Sequence, residues 1–437
     1  MSKSSFKIRL SFVSIIILIV FISSKDFCQQ NSKANLNNIK LLMIDGKYRE
    51  AIKDLDSLIT IDSANVQALY FLGLNYESIS NYNKAASVLK SAAKYKPDDT
   101  QLLLSLGSNY FSAGLINDAD TVLSKAFSLD SSSSQIQLIL GKVYMAQKKW
   151  DNAAAIYARL IEGDSSNSYF FEQMAKCETQ LGNADSAISN YMIANKLNPQ
   201  NINTTLDLSY LLYLQKGYSQ AIKVVEAGLK FYPFSIDLWK RKGDIYISVP
   251  DYDNAMNSYY YALVRGDSTA DNLKNIGICL YWRGQNTKST NDYESALNFL
   301  NHSIDLDSKD AATFFYLGAV YKARGDYKQS LENFIKASNL LKNDFLANTY
   351  IQIAAVYQLD EKYNDALEYY RDALRESPAN KSILFYIAVI YDKLKSSKSA
   401  ENFYAKFLSD SNGADKKLID YAKNRVEELK NNKSLKR

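Results

Sequence analysis

Proline, glycine, histidine and cysteine are all scarce: the 437 residues hold 5, 16, 1 and 3 of them. No stretch is rich in proline or glycine, so the sequence offers no hinge between separate domains and does not suit a loop-rich fold. The one histidine, His302, is alone, and a lone histidine on a regular element is a surface or packing residue rather than a ligand. His-Glu-x-x-His, Gly-x-x-x-x-Gly-Lys-Ser/Thr and Gly-x-Ser-x-Gly are all missing. Carboxylates are plentiful, but no pair of them carries a catalytic argument. The chain is therefore expected to be no enzyme, with no catalytic residue, no cofactor and no metal.

Beyond Cys28 the only cysteines are Cys177 and Cys279, and neither belongs to a Cys-x-x-Cys pair. No disulfide framework is evident, so the core must hold the fold. Charge of one sign is also wanting. The formal net charge is +5, and removing residues 1–28 would leave about +2. That is too weak a field for a general nucleic-acid binder, and no nucleic-acid partner is expected. The basic tail "KNNKSLKR" reads as a solvated end.

One long hydrophobic run exists. Lys3, Lys7 and Arg9 precede "LSFVSIIILIVFISS", residues 10–24. A basic start followed by a short apolar run reads as a secretory signal over residues 1–28. The run is short for a spanning helix, which needs about 20 apolar residues. An uncleaved anchor that keeps the N-terminus at the membrane is the alternative. Lys25-Asp26-Phe27 before Cys28 does not resemble the Leu-small-small-Cys of lipoproteins, so lipidation is not expected. Cleavage after Cys28 would start the chain at Gln29, which looks like exported proteins of Bacteroidetes-type bacteria.

What is abundant is repetition. With starts at residues 32, 66, 100, 134, 168, 202, 236, 270, 311, 347 and 381, eleven repeats of a 34-residue period cover 32–414. Position 20 reads Ala51, Ala85, Ala119, Ala153, Ala187, Ala221, Ala255, Ala296, Ser330, Ala366 and Ala400. Position 8 is Gly in Gly73, Gly107, Gly141, Gly243, Gly277 and Gly318. Tyrosine recurs at position 11 (Tyr76, Tyr110, Tyr144, Tyr246, Tyr321, Tyr357, Tyr391) and at position 17 (Tyr48, Tyr82, Tyr218, Tyr252, Tyr293, Tyr327, Tyr363). Pro97, Pro199, Pro233 and Pro378 share position 32.

Positions 4, 7, 8 and 11 share one helical face, and 17, 20, 24 and 27 share another, so each repeat is two amphipathic helices. A mid-helix Gly costs about 1 kcal/mol relative to Ala. Its return to one column predicts a close approach of the paired helices there, with the small residue at position 20 serving the same contact. Proline at position 32 ends the second helix. Two departures stand out. Ile39 occupies a small-residue column, and the fifth repeat has Glu178 and Ala184 where aromatics belong, which predicts looser packing there. Seven extra residues in the eighth repeat, near "QNTKSTN" (285–291), are expected as a polar loop between its helices.

These columns resemble the tetratricopeptide repeat (TPR) family over nearly the whole chain after residue 31. The resemblance implies an all-α, right-handed superhelical α-solenoid with first helices lining a concave groove. Residues 415–437 then read as a C-terminal capping helix and tail over the last repeat's apolar face. Cys177 and Cys279 both fall at position 10, three repeats apart, beyond the ~7 Å reach of a disulfide, and read as small packing residues.

By the resemblance, positions 2, 5, 9 and 12 of the first helix face the groove. Position 5 is charged in the middle of the array (Glu172, Lys240, Lys274) and apolar on either side, and Lys176, Arg241 and Asp244 join the charged zone. Tyr281, Trp282, Phe315 and Tyr316 form the densest aromatic group, followed by Phe385 and Tyr386. These six aromatics, with Lys240 and Arg241, are the expected contacts to a protein or peptide partner, since exposed aromatic patches mark interfaces. Apolar residues at position 5 also pack against the next repeat, which is the competing reading. The family's clamp for a C-terminal carboxylate is broken: Lys240 and Asn275 match it, whereas Asp244, Ala312 and Tyr316 do not.

The sequence thus reads as a non-enzymatic interaction scaffold, exported to the periplasm or cell envelope of a bacterium. A holdase-like periplasmic chaperone, or a non-catalytic subunit of an envelope enzyme complex, are the alternatives.

Overall fold

The computed structural model describes residues 36–341, 345–409 and 415–434, and among them every regular element is helical. The basic start, the apolar run 10–24 and Cys28 lie outside the described residues. The chain divides into two compact units, with the boundary between Thr204 and Thr205. In the first, a helix over 36–44 (α1) is followed by α2 (Tyr48–Ile61), α3 (Val66–Ser78), α4 (Tyr82–Tyr95), α5 (Thr100–Ser112) and α6 (Ile116–Leu129). Then come α7 (Ser134–Ala146), α8 (Trp150–Gly163), α9 (Ser168–Leu181) and α10 (Ala184–Leu197), and α11 (Ile202–Leu214) carries the boundary. The second unit continues with α12 (Tyr218–Phe231), α13 (Ile236–Ser248), α14 (Tyr252–Leu263), α15 (Ala270–Thr287), α16 (Thr290–Leu306) and α17 (Ala311–Arg324). It ends with α18 (Tyr327–Leu340), α19 (Phe345–Leu359), α20 (Tyr363–Glu376), α21 (Ser382–Lys393), α22 (Ser397–Ser409) and α23 (Lys416–Ser434). From α2 to α10, and again from α12 to α23, each helix packs on the next, and several first helices also touch the first helix of the following repeat, as α15 does α17 and α17 does α19. This is the all-α, helical-repeat architecture that the period of 34 predicts.

The position-8 glycines have a specific cause. A Cβ added to Gly73 would lie 2.5 Å from Cγ of Leu89; one on Gly243 would lie 2.7 Å from Cζ of Tyr259, and one on Gly318 2.8 Å from Cγ of Phe334. Leu89, Tyr259 and Phe334 all stand at position 24 of the second helix. The glycine therefore makes a seat for that side chain, a narrower reason than close helix axes alone. Position 20 is closed almost completely, with Ala51, Ala85, Ala119 and Ala255 at 0% exposure.

The turn inside most repeats holds one residue in the left-handed region; the seventh, with Val249 at φ -106° and Asp251 at φ -99°, does not. Gly114, Gly182 and Gly325 fill it without strain, but Ser80, Lys148, Lys216, Glu361 and Lys395 fill it at φ of 56–59°. A non-glycine residue there costs about 1–2 kcal/mol. First helices are mostly capped by the residue before them: the side chains of Asn65, Asp99, Ser133, Asn167, Ser235, Thr269 and Asp310 accept from amides of the first turn.

Two expectations are corrected. The seven extra residues of the eighth repeat do not form a loop. They lengthen both helices, α15 to 18 residues and α16 to 17, against 13 in α13 and 14 in α18. The reversal is confined to Lys288, left-handed at φ 58°, and the cap Ser289. Gly284 lies under the Tyr293 ring, and Arg283 grips Asp292 across the pair, with Nε–Oδ2 at 3.1 Å. In the fifth repeat, Glu178 is a fastening rather than a gap, because it accepts a 2.7 Å hydrogen bond from Asn183 in the turn. Ile39 is buried with Leu36, Leu55 and Leu72.

At the C-terminal end α23 packs on α22. Ala422 and Leu429 are buried with Phe385, Tyr404 and Phe407, and Arg425 forks onto Asp392 of α21 at 2.6 and 2.9 Å. Cys177 and Cys279 are buried free thiols, and burial pushes them up to about 11 and about 12. His302 is exposed on α16.

Candidate functional site

The charged zone is built from ion pairs. On α13, Lys240 Nζ lies 3.0 Å from Oδ2 of Asp267, whose Oδ1 accepts from the Thr269 hydroxyl at 2.7 Å. Arg241 rests over the Tyr210 ring, 4.7 Å from its centroid, and reaches Asp244 at 3.7 Å. Asp244 in turn accepts a 2.7 Å bond from the Tyr259 hydroxyl. Burial pushes the Asp244 carboxyl up, against the opposing pull of Tyr259, Arg241 and Lys240. Lys274 on α15 lies between Asp271 (2.7 Å) and Asp310 (3.2 Å). In the first compact unit Lys176 meets Glu172 at 2.5 Å, and Asn201 and Thr204 complete that carboxylate. Arg241–Asp244, Lys274–Asp271 and Lys176–Glu172 are pairs within one helix, legible at their spacing, whereas Lys240–Asp267 and Lys274–Asp310 join residues 27 and 36 positions apart that no local pattern marks.

The structure does bring Tyr281, Trp282, Phe315 and Tyr316 together. Ring centroids are 5.1 Å apart for Tyr281–Trp282, 6.0 Å for Tyr281–Tyr316 and 5.5 Å for Phe315–Tyr316. Trp282 also stacks on Tyr252 at 5.8 Å. Their exposures differ. Trp282 keeps 36% of its surface, and Tyr281 and Tyr316 are half-buried. Burial pushes the Tyr281 hydroxyl up to about 12; it also raises Tyr316, where a hydrogen bond with Trp282 acts in the opposite sense.

Phe315 is 9% exposed and Phe385 7%, and both belong to the core. Phe315 packs on Phe334 at 5.3 Å and Phe345 at 4.8 Å; Phe385 is ringed by Tyr404, Phe407 and Tyr421 at 5.5–5.8 Å. Their expected role as partner contacts is corrected: at position 5 a large ring is consumed by packing against the following helix. Tyr386, its neighbour on α21, is half-buried and stacks on Tyr370 at 5.6 Å.

Two features escaped sequence reading. Trp239 stacks on Tyr261 at 4.3 Å, and Arg265 lies over Tyr261 and the 66%-exposed Phe234. Lys322, at position 12 of α17, has its amine on Gln352 of α19. Nothing local marks either: Trp239 and Tyr261 stand on the two helices of one repeat, and Lys322 meets Gln352 across consecutive repeats. Among the described residues no cluster of His, Cys, Asp and Glu could hold a metal ion, and no helix is long and apolar enough to cross a membrane.

Family models described as tetratricopeptide repeat match residues 66–99, 104–168, 309–375 and 355–415. A TPR repeat-containing protein of Methanocaldococcus jannaschii is 22% identical over 212 residues, 47% of this chain and 37% of that protein. BBSome complex member BBS4 of Mus musculus is 23% identical over 192 residues, 42% of this chain and 34% of that protein. Photosystem I assembly protein Ycf3 of Synechococcus is 33% identical over 91 residues, 21% of this chain and 53% of that protein. The aligned region thus spans about a third of the length of the first two relatives. Among solved structures, Cut9 with Hcn1 of the APC/C hetero-tetramer gives a TM-score of 0.47 at 13% identity, covering 90% of this chain and 95% of that one. Yeast Tom70 gives 0.43 at 13% identity, covering 92% and 97%. The matched segments lie on the helix pairs α3–α4, α5–α8 and α17–α22, and the chain is accordingly a helical-repeat protein that carries tetratricopeptide repeats.

Proposed function

We propose that this chain is a non-enzymatic protein–protein interaction scaffold, exported to the bacterial cell envelope, that holds a protein or peptide partner on its first-helix faces. The observation that carries the reading is the group Tyr281, Trp282 and Tyr316 on α15 and α17. It joins a 36%-exposed indole to two half-buried phenols, the amphipathic rings that interfaces favour. The repeat architecture supports it, since tetratricopeptide arrays suggest protein partners. The basic start, the apolar run 10–24 and Gln29 support export.

The test is a crosslinking pull-down from the native envelope. One partner at fixed stoichiometry, lost with Trp282→Ala, is the expected result. A mixture of many clients would mark a holdase-like chaperone instead. Stimulation of a co-purifying enzyme by a chain with no activity of its own would mark the non-catalytic subunit.

A further inference from the structure

Among the described residues, three cations near the aromatic group stand in ion pairs. Lys274 meets Asp271 at 2.7 Å, Arg283 meets Asp292 at 2.5 Å and Arg324 meets Glu294 at 2.9 Å. Lys322 is different: among the described residues its amine donates to the side-chain carbonyl of Gln352, at 2.5 Å, and stands in no ion pair. Burial alone sets the direction of its pKa, which is lowered, and no carboxylate pulls it back. An amide oxygen offers a dipole, not a charge, and an ammonium withdrawn from water without a counter-charge is costly to the fold.

The surroundings favour an incoming group. Ala355, one turn after Gln352, is small and half-buried. Tyr281 holds the same repeat position on α15 that Lys322 holds on α17, and α15, α17 and α19 pack in succession. An amine, an adjacent amide and an aromatic wall therefore share one face.

We infer that Lys322 reads a side-chain carboxylate of an acidic peptide partner whose apolar residues rest on Tyr281, Trp282 and Tyr316. The inference rests on the scaffold reading above and names the chemistry of its partner. A single compact ammonium suits one carboxylate. A polyanion needs several free cations, and the neighbouring ones are already neutralised. The Gln352 amide completes the site: turned about its last torsion, it donates Nε2–H to the second carboxylate oxygen.

The test uses the full chain and a pool of N-acetylated, C-amidated dodecapeptides randomised over Leu, Tyr, Phe, Ser, Gln and Glu. Retained peptides are sequenced by mass spectrometry. Wild type is expected to enrich Glu over Gln by roughly tenfold, the scale of one charge-assisted hydrogen bond. Lys322→Met should lose that enrichment while keeping the preference for Tyr and Phe, and should melt at or above wild type because an unpaired charge has left the interior. Trp282→Ala should do the reverse, weakening aromatic selection and keeping the preference for Glu. Equal retention of Glu and Gln peptides by wild type overturns the inference, and so does an undiminished Glu preference in Lys322→Met. A second pool with free C-termini separates the sources: retention that follows the terminal carboxylate regardless of Glu overturns the side-chain assignment. Aromatic selection without Glu selection defeats the inference alone, whereas no retention of any peptide defeats the scaffold reading with it.

Discussion

At the scale of single residues, two kinds of aromatic look alike in the sequence and behave differently in the fold. Phe315 fills a space bounded by Phe334 and Phe345, while Trp282 spans Tyr252 and Tyr281 with a third of its surface open. Phe315→Ala should therefore cost about 3–5 kcal/mol in chemical denaturation. Trp282→Ala should melt close to wild type and weaken partner binding by about 2 kcal/mol or more, as a hot spot does. Equal loss of stability in both would return Trp282 to the core. The glycine seats make a sharper test. Gly318→Ala forces a methyl to 2.8 Å from Phe334 and should destabilise by about 1–3 kcal/mol. Adding Phe334→Leu should recover part of that loss, because it removes the ring that the methyl strikes. Additive losses in the double variant would show that position 8 is small for another reason.

At the scale of elements, α15, α16 and α23 carry the most information. The insertion of the eighth repeat extends a helix pair because its residues keep the amphipathic spacing: Gly284 still takes a side chain, Tyr293, and Arg283 still finds Asp292 one turn beyond the reversal. The head of α17 is tied to α15 through Lys274 and Asp310, and the approach to α15 is tied to α13 through Asp267 and Lys240. Burial works to raise both carboxyls. It is outweighed by the hydroxyls of Thr313 and Thr269 and by the two lysines, so both are held below the usual carboxylate range. A depressed folded pKa adds stability above the unfolded value, near 4, and that stability is lost as pH falls through the folded value. Urea midpoints followed from pH 6 down to pH 2 should converge between wild type and Asp310→Asn; a gap that persists at pH 2 would assign Asp310 a packing role only. For α23, truncation after residue 414 uncovers Phe385, Tyr404 and Phe407 and removes the Arg425–Asp392 fork, so the shortened chain should lose solubility and bind a hydrophobic dye.

At the scale of the whole molecule, the prediction is export. Intact-mass analysis of native protein is expected to show loss of about 28 residues and no lipid. Full-length mass in a membrane fraction would support an anchor, and a full-length soluble cytoplasmic product would refute both. The helical array itself should give a circular dichroism spectrum without a strand component.

The sequence determined the helix pairs, because the period of 34 with small residues at positions 8 and 20 repeats one local packing problem along the chain. It also carried the column of first-helix caps, Asn65, Asp99, Ser133, Asn167, Ser235 and Thr269, a signal legible at fixed spacing. Exposure and pairing were left to the tertiary structure. Whether Phe315 or Trp282 meets solvent, whether Lys240 is free or bound to Asp267, and whether Lys322 finds a carboxylate depend on residues brought together from neighbouring repeats. A helical period fixes which face a side chain occupies. What stands opposite that face is set by how one repeat is laid against the next.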